Sequence, residues 1–408
     1  MRLRLRPVFA FIAITGSAIG VEVTDTVTIR DFTLVPLGNL AYRHNRLVMH
    51  PKALIGAGYN SNVYATPDDE IADTYGEAIA GIEASYQIGV SQRVDVDVEG
   101  EGRAYLEETS RDLVGGRARA RYELEDSQGM TYQASAGYAR YDDPLIESGQ
   151  QITRGAGSMG AMAGWQGSRN RLSLRGEWQN ENFFEAGPGF GEDERDSDTV
   201  RTALVYGHGT GEEGEIFAKI MADTHRYAEY SDQFQDSTGV AGLVGWQRTV
   251  ATRIAMHVEA GVEHRAYDEI SSDDPAYADD ITAVIGAASL RWNWEAGSYV
   301  DVRAYRSITS SVSSNAAFLT GVDGDLRYRL REKTALVSGG KVYLLEQSGA
   351  ATGQVVEKRG TGQARAGVEY LVRDGVGFRL VGTYEISKSR TENDYDRVSV
   401  LLSFGFAY

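Results

Sequence analysis

Two runs of alternating charge stand out in the first third of the chain. The acidic run is Asp95, Asp97, Glu99 and Glu101, and the basic run is Arg117, Arg119 and Arg121. A spacing of two places every member of a run on one face of a β-strand. A hairpin centred near Ser110 would bring Glu101 opposite Arg119 and Glu99 opposite Arg121, which predicts cross-strand ion pairs.

A second set of charges with the same spacing lies nearer the C-terminus. It consists of Asp323, Asp325, Arg327 and Arg329, with Arg365 on a later segment. Further charged or polar groups are expected on the same face: Glu83, Arg175, Glu177, Lys219, Asp223, His257, Glu259, Glu263, Arg303, Glu369, Arg379 and Glu385. Such charges can stabilise a solvated wall or contact a charged solute, and ordinary wall charges are the more common case.

The sequence offers little for catalysis, and no cofactor is expected. It has 6 His and no Cys, so cysteine metal sites are excluded, and none of the histidines has a recognisable metal spacing. His257 with Glu259 and Asp223 with His225 are same-face pairs, which are weak evidence for an active site without mutual geometry. We therefore do not expect an enzyme.

The segments that carry these charges have an apolar opposite face. Within Arg93–Glu107, valine, glycine and alanine alternate with the charged residues, and Leu113–Glu125 repeats this pattern. In a soluble sandwich the apolar face would form the core, whereas in a membrane barrel it would face lipid and the charged face would line the lumen. Alternating segments of about nine to fifteen residues continue to the C-terminus, long enough to cross a membrane when tilted.

The connections between the segments decide between these two folds. Tight turns and long polar loops alternate along the chain, as periplasmic turns and outer loops do in a membrane barrel, and a sandwich has no reason for this alternation. The sequence therefore predicts an all-β fold, a transmembrane antiparallel up-and-down β-barrel of about 18 strands with periplasmic termini.

Three regions are predicted. Residues 1–20 have the basic start, short apolar core and small-residue cleavage site of a signal peptide. Residues 21–50 lack a clear barrel pattern and are expected to form a periplasmic N-terminal extension, and residues 51–408 form the barrel. The formal net charge is -17, with much of the acid in predicted loops, which argues against a nucleic-acid partner.

The two ends of the predicted barrel resemble known outer-membrane proteins. The last residues, Phe406, Ala407 and Tyr408, follow a strand with one apolar face and resemble the C-terminal signature that the barrel-assembly machinery of Gram-negative bacteria reads. The opening, with Tyr59, Asn62, Val63 and Tyr64, resembles a family of outer-membrane barrels sometimes called beta-barrel porin type two.

This resemblance implies a place in the outer membrane of a Gram-negative bacterium, among its lipids and lipopolysaccharide. Members of that family often accompany exopolysaccharide genes, so the resemblance implies a channel that exports an extracellular polysaccharide with periplasmic export components. Two alternatives remain open: a passive porin for small solutes, and a structural or adhesive barrel whose acidic outer loops bind a partner.

Overall fold

The structure is a computed structural model. It describes residues 42–66, 70–144, 151–184, 196–211, 214–228, 236–251, 253–268, 280–309, 317–348, 355–390 and 394–407. The predicted signal peptide, residues 21–41 of the predicted extension and most of the acidic loops lie outside these residues.

Nineteen β-strands and one short 3-10 turn, Thr109–Arg111, make up the described chain. The strands are β1 Tyr42–His44, β2 Leu47–Asn60, β3 Asp73–Gln87, β4 Gln92–Tyr105, β5 Leu113–Glu125, β6 Met130–Pro144, β7 Gln151–Gln166, β8 Asn170–Phe183, β9 Ser197–Gly211, β10 Gly214–Tyr227, β11 Ser237–Val250, β12 Ile254–Tyr267, β13 Ile281–Glu295, β14 Ser298–Thr309, β15 Ala317–Arg331, β16 Thr334–Ser348, β17 Val355–Arg373, β18 Val376–Ser389 and β19 Tyr395–Ala407.

Strands β2 to β19 form a closed antiparallel barrel of 18 strands. Each strand pairs with the next along the chain, and β19 closes the ring by pairing antiparallel with β2 from Ala407 opposite Lys52 to Ser399 opposite Asn60. An antiparallel seam between the first and last strands needs an even strand number, and the predicted architecture is therefore confirmed.

The barrel begins earlier than residue 51, the boundary that the sequence pattern suggests. β2 starts at Leu47, and its first residues pair with both β3 and the short strand β1, in which Tyr42 lies opposite Met49. Asn45, which has a φ of 53°, turns β1 into β2. β1 thus covers the edge of β2 beyond the point where β19 ends. The alternation that marks a strand is hidden here because β2 opens with Leu47, Val48 and Met49 in succession.

Tight and long connections alternate around the barrel, as predicted. The turns at 126–129, 296–297, 332–333 and 374–375 lie at the same end as the start of β2 and the end of β19. Strands separated by longer stretches of sequence, such as β2 and β3 or β10 and β11, are joined at the opposite end. The β4–β5 connection at 106–112 is compact because the 3-10 turn folds it and the Asp112 carboxylate accepts a hydrogen bond from the backbone N–H of Tyr105, at 2.7 Å.

The outward face of the barrel is apolar and exposed. Ile55, Val98, Ile220 and Val244 are among many large apolar side chains on it that are more than two-fifths exposed. A water-soluble protein rarely exposes a continuous apolar surface of this kind, whereas a barrel that meets lipid requires one. None of the helical structure in the described ranges is long and apolar enough to cross a bilayer.

The inward face is largely polar, with apolar clusters in places. One cluster joins Leu243 of β11 and Ile285 of β13 to Ile308 near the end of β14. The pairing of β13 with β14 ends at Gly286 opposite Arg306, although both strands continue. The end of β14 therefore leans away from β13 and over the inward face.

Candidate functional site

The predicted acidic and basic runs on β4 and β5 face each other on the inward side of the barrel. Glu99 lies opposite Arg117, Asp97 opposite Arg119 and Asp95 opposite Arg121. The predicted register was therefore wrong by four residues, since Arg119 was expected opposite Glu101. The hairpin is symmetric about position 108 and not about Ser110. A shift by an even number of residues keeps every side chain on its face, which is why acid still opposes base.

Arg117 contacts two of these acids, and one further cation enters the ladder. Arg117 Nη2 lies 3.2 Å from Glu99 Oε1, and its Nε lies 3.8 Å from Asp97 Oδ2. Lys52 of β2 reaches the same acids, with Nζ 3.5 Å from a Glu99 oxygen and 3.8 Å from an Asp97 oxygen. Lys52 and Glu99 are both buried. The sequence pattern did not single out Lys52 because it stands on a strand that is otherwise apolar.

The remaining residues of the two runs differ in the contacts that they make. Arg121 pairs with Glu123 two residues along the same strand, at 3.4 Å, and Asp95 pairs with Arg93 at 2.9 Å. Glu101 packs against the backbone at Gly115. Arg119 is exposed on the inward side.

The second predicted set lies on β15 to β17 and forms two kinds of contact. Arg327 Nε lies 2.9 Å from Glu369 Oε2, and Arg379 Nε lies 3.8 Å from the other oxygen of that carboxylate; all three side chains are buried. Arg365 and Asp325 pair at 2.5 Å in a more exposed place. A guanidinium–carboxylate pair excluded from water depends on both partners, whereas an exposed pair contributes little.

Asp323 and Arg329 complete this set. Asp323 lies between Arg303 of β14 and Lys341 of β16 in the cross-strand register. Arg329 donates to the backbone carbonyls of Ala296 and Glu332 at 3.4 and 3.1 Å. It therefore ties two tight turns together.

Glycines on the inward face allow ion pairs to pass over a whole strand. Arg265 of β12 donates to Asp223 of β10 at 2.8 Å, and a Cβ built on Gly239 of the intervening β11 would meet both side chains at 2.8 Å. Gly339 has the same relation to the pair of Asp325 with Arg365. The side chain of Lys52 passes over Gly81 in the same way. The side chain of Glu215, which pairs with Arg171, passes over Gly207.

The two histidine pairs that could suggest catalysis are parts of these wall networks. Glu259 accepts from Lys219 at 2.8 Å and lies 3.6 Å from His257 Nε2. His225 Nδ1 lies 2.8 Å from the Thr199 hydroxyl. Across the described part of the chain, no group of three or more His, Asp or Glu side chains is arranged to hold a metal ion.

The family-like motif near the start of the barrel folds inward beside the seam. Asn62 is 0% exposed; its Nδ2 donates to the carbonyls of Thr66 and Asp396, and its Oδ1 accepts from the Thr66 N–H. Val63 packs against Tyr75 and other inward side chains. Asn62 therefore ties the β2–β3 connection to the first residues of β19.

Tyr64 completes this motif. Its hydroxyl donates to Glu108 at 2.7 Å, and the Arg111 guanidinium lies 4.5 Å from the centre of its ring. Tyr64 thus ties the β2–β3 connection to the β4–β5 connection. The motif residues hold two connections in place at the closing seam.

The closed barrel, its apolar outward face and its charged inward wall define a membrane channel of the porin class. The chain matches the family described as Putative beta-barrel porin 2 over residues 41–407 and belongs to that family. It is therefore an outer-membrane β-barrel of a Gram-negative bacterium. No curated protein matches the sequence.

Solved porin structures have the same fold. OpdK from Pseudomonas aeruginosa, crystallised with vanillate, superposes with a TM-score of 0.50 at 11% identity, covering 88% of this chain and 98% of OpdK. A BenF-like porin from Pseudomonas fluorescens Pf-5 gives a TM-score of 0.50 at 10% identity, covering 89% of this chain and 99% of that porin. At such identities the likeness concerns the fold alone.

Proposed function

We propose that this protein is a passive porin that lets small hydrophilic solutes cross the outer membrane. The observation that carries the proposal is the direction of the inward-facing ion pairs. The pairs Lys52–Glu99, Arg171–Glu215, Arg265–Asp223 and Arg327–Glu369 each join strands two apart along the wall. Within the described ranges, extensive contacts join only strands that are neighbours around the ring or segments that are adjacent in sequence. Extensive contacts between opposite sides of the barrel are absent from these ranges.

Because these ion pairs run along the wall, we expect water to fill the centre of the barrel. An 18-stranded barrel without a plug is wide enough for a water-filled lumen, and charges that neutralise each other along the wall need no partner across it. The expectation of polysaccharide export receives no support from the family or from the solved neighbours, which are porins. These relatives are also channels and not enzymes.

Planar-bilayer recordings and liposome swelling test the proposal. The refolded chain should give a stable conductance, and liposomes containing it should swell in neutral sugars at a rate that falls with sugar size. A folded chain that neither conducts nor swells liposomes would contradict a passive porin and would favour a structural barrel.

Two adjacent positions on β7 give a matched pair of variants. Ser158 lies on the inward face, and Met159 lies on the outward face, where it is 60% exposed. Ser158→Trp should reduce conductance because the indole occupies the lumen, whereas Met159→Trp should leave it unchanged because the ring meets lipid. Equal conductance in the two variants would argue against a path through the barrel.

A further inference from the structure

Arg119 of β5 differs from its neighbours in having no ion partner. It is exposed on the inward face, and it makes no hydrogen bond or ion pair with any other residue that the structure describes. Arg117 and Arg121, two residues to either side, both pair with carboxylates. The basic run therefore has one member whose charge no described carboxylate neutralises.

The reason lies in the neighbouring strands. Asp97 is directly opposite Arg119, yet its carboxylate is approached by Lys52 and Arg117. Lys52 comes from two strands away and passes over Gly81. The carboxylate that the observed register places opposite Arg119 is thus shared by two other cations.

The stem of Arg119 leans the other way, over β6. Its Cγ lies 3.7 Å from the position that a Cβ would take on Gly137, which is the cross-strand partner of Arg119 on β6. Gly137 lies next to Ser158 of β7 in the cross-strand register. A Cβ at position 137 would be in ordinary van der Waals contact with the aliphatic part of the Arg119 side chain.

The wall that Arg119 leans over carries no charge in its middle part. The inward residues of β6 from 131 to 139 are Thr131, Gln133, Ser135, Gly137 and Ala139, and those of β7 from 156 to 166 are Ala156, Ser158, Gly160, Met162, Gly164 and Gln166. Most of these side chains are short, and none of them is charged. The nearest cation beyond this wall, Arg175 of β8, pairs with Glu177 at 3.2 Å.

We propose that Arg119 forms an anion site in the solute path, alongside the uncharged wall of β6 and β7, and that it favours the passage of small anions. The proposal rests on the proposed function as a porin. An unneutralised guanidinium beside a confined aqueous path raises the local concentration of anions, and its planar donors suit carboxylate and phosphate groups.

Reversal potentials in a potassium chloride gradient test the site. Arg119→Gln should lower the chloride-to-potassium permeability ratio by about tenfold in dilute salt. A unit charge roughly 6 Å from the ion path in water changes the local concentrations of chloride and potassium about threefold each, in opposite directions. Arg119→Lys should keep most of the ratio because the charge remains. Inorganic phosphate at millimolar concentration should reduce chloride current in the wild-type chain and less in Arg119→Gln.

Lys388→Gln is the matched control. Lys388 lies on the outward face near the end of β18, its side chain is 63% exposed and it pairs with Asp394, so this variant removes one positive charge from outside the lumen. It should leave the permeability ratio unchanged. Equal shifts in Lys388→Gln and Arg119→Gln would overturn the anion site, because net charge would then explain both.

The remaining outcomes separate the two proposals. A conducting wild-type chain whose permeability ratio and phosphate response survive Arg119→Gln overturns the anion site and leaves the porin intact. A wild-type chain that is folded and does not conduct overturns the porin and, with it, the anion site. Folding of each variant is checked by the mobility difference between heated and unheated samples in SDS gels.

Discussion

Arg265 and Asp223 form an ion pair across an intervening strand, with Nη2 of the arginine 2.8 Å from Oδ2 of the aspartate. Arg265 stands on β12 and Asp223 on β10, and the side chains meet above Gly239 of β11. Both are largely buried. The arginine also donates to Glu263 and to the Ser237 hydroxyl, so one guanidinium connects three strands.

Replacing Gly239 should therefore break this connection. We expect Gly239→Val to lower the free energy of unfolding by about 2 kcal/mol, the usual cost of overpacking a filled site. Gly242→Val on the same strand is the control, since a Cβ at Gly242 meets nothing within 4 Å and points outward. Urea unfolding in micelles, followed by tryptophan fluorescence, measures both. Equal destabilisation by the two variants would show that the loss of glycine alone matters.

The buried carboxylate of Glu369 should be worth more than the exposed one of Asp325. Glu369→Ala leaves Arg327 and Arg379 buried without their shared acid, and we expect a loss of about 3 kcal/mol, as for other broken buried pairs. Asp325→Ala opens a pair in which the aspartate is 45% exposed, and the expected loss is below about 1 kcal/mol. The same unfolding measurement compares them, and a larger loss for Asp325→Ala would contradict the structure.

Asn62 should stabilise the closing seam at the end with long connections. Asn62→Ala removes two donated hydrogen bonds and one accepted bond, and we expect a loss of about 2 kcal/mol, because a buried carbonyl is left without its donor. Hydrogen exchange should accelerate at the start of β19 and at Thr66, and remain unchanged at the opposite end of the seam, near Ala407. Asn62→Asp keeps the acceptor but sets a carboxylate oxygen against the two carbonyls that Nδ2 contacts, so it should cost at least as much as Asn62→Ala.

The hydrogen bonds that Asp394 accepts at the end of β18 should be sensitive to acid. The backbone N–H of Ser389 and, secondly, the Lys388 ammonium donate to its carboxylate and hold its pKa below the usual value of 3.8. Because the folded pKa is the lower one, the contact is fully present above pH 3.8 and is lost as the pH falls through the folded pKa. Exchange of the Ser389 amide should therefore lose its protection only at strongly acidic pH, and Asp394→Asn should abolish that pH dependence.

Period-two alternation is enough to predict the barrel and the face of each charged residue. In Arg93–Glu107 and Leu113–Glu125 it places acids and arginines on one side, and the alternating connection lengths supply the even strand number. Register is a different matter, because a slip of two residues changes no face. The 3-10 turn at Thr109–Arg111 and the Asp112 contact set the register that pairs Glu99 with Arg117.

The contacts that pass over a strand lie beyond such patterns. Asp223 and Arg265 are 42 residues apart, and their meeting depends on the registers of two successive hairpins and on a glycine between them. The isolation of Arg119 depends likewise on Lys52, which reaches its acids from two strands away. The pattern of a single strand predicts neither the contact of Asp223 with Arg265 nor the contacts of Lys52. A usable signal would be an inward glycine that has opposite charges at the paired positions of its two neighbouring strands.

The glycines beneath these pairs also bear on the shape of the barrel. Two side chains that meet above a middle strand join two strands that are not hydrogen-bonded to each other. Such contacts stand above Gly81, Gly207, Gly239 and Gly339, on β3, β9, β11 and β16. The circumference is thus held by side-chain bridges at intervals as well as by backbone hydrogen bonds, and we expect these bridges to oppose flattening of the barrel.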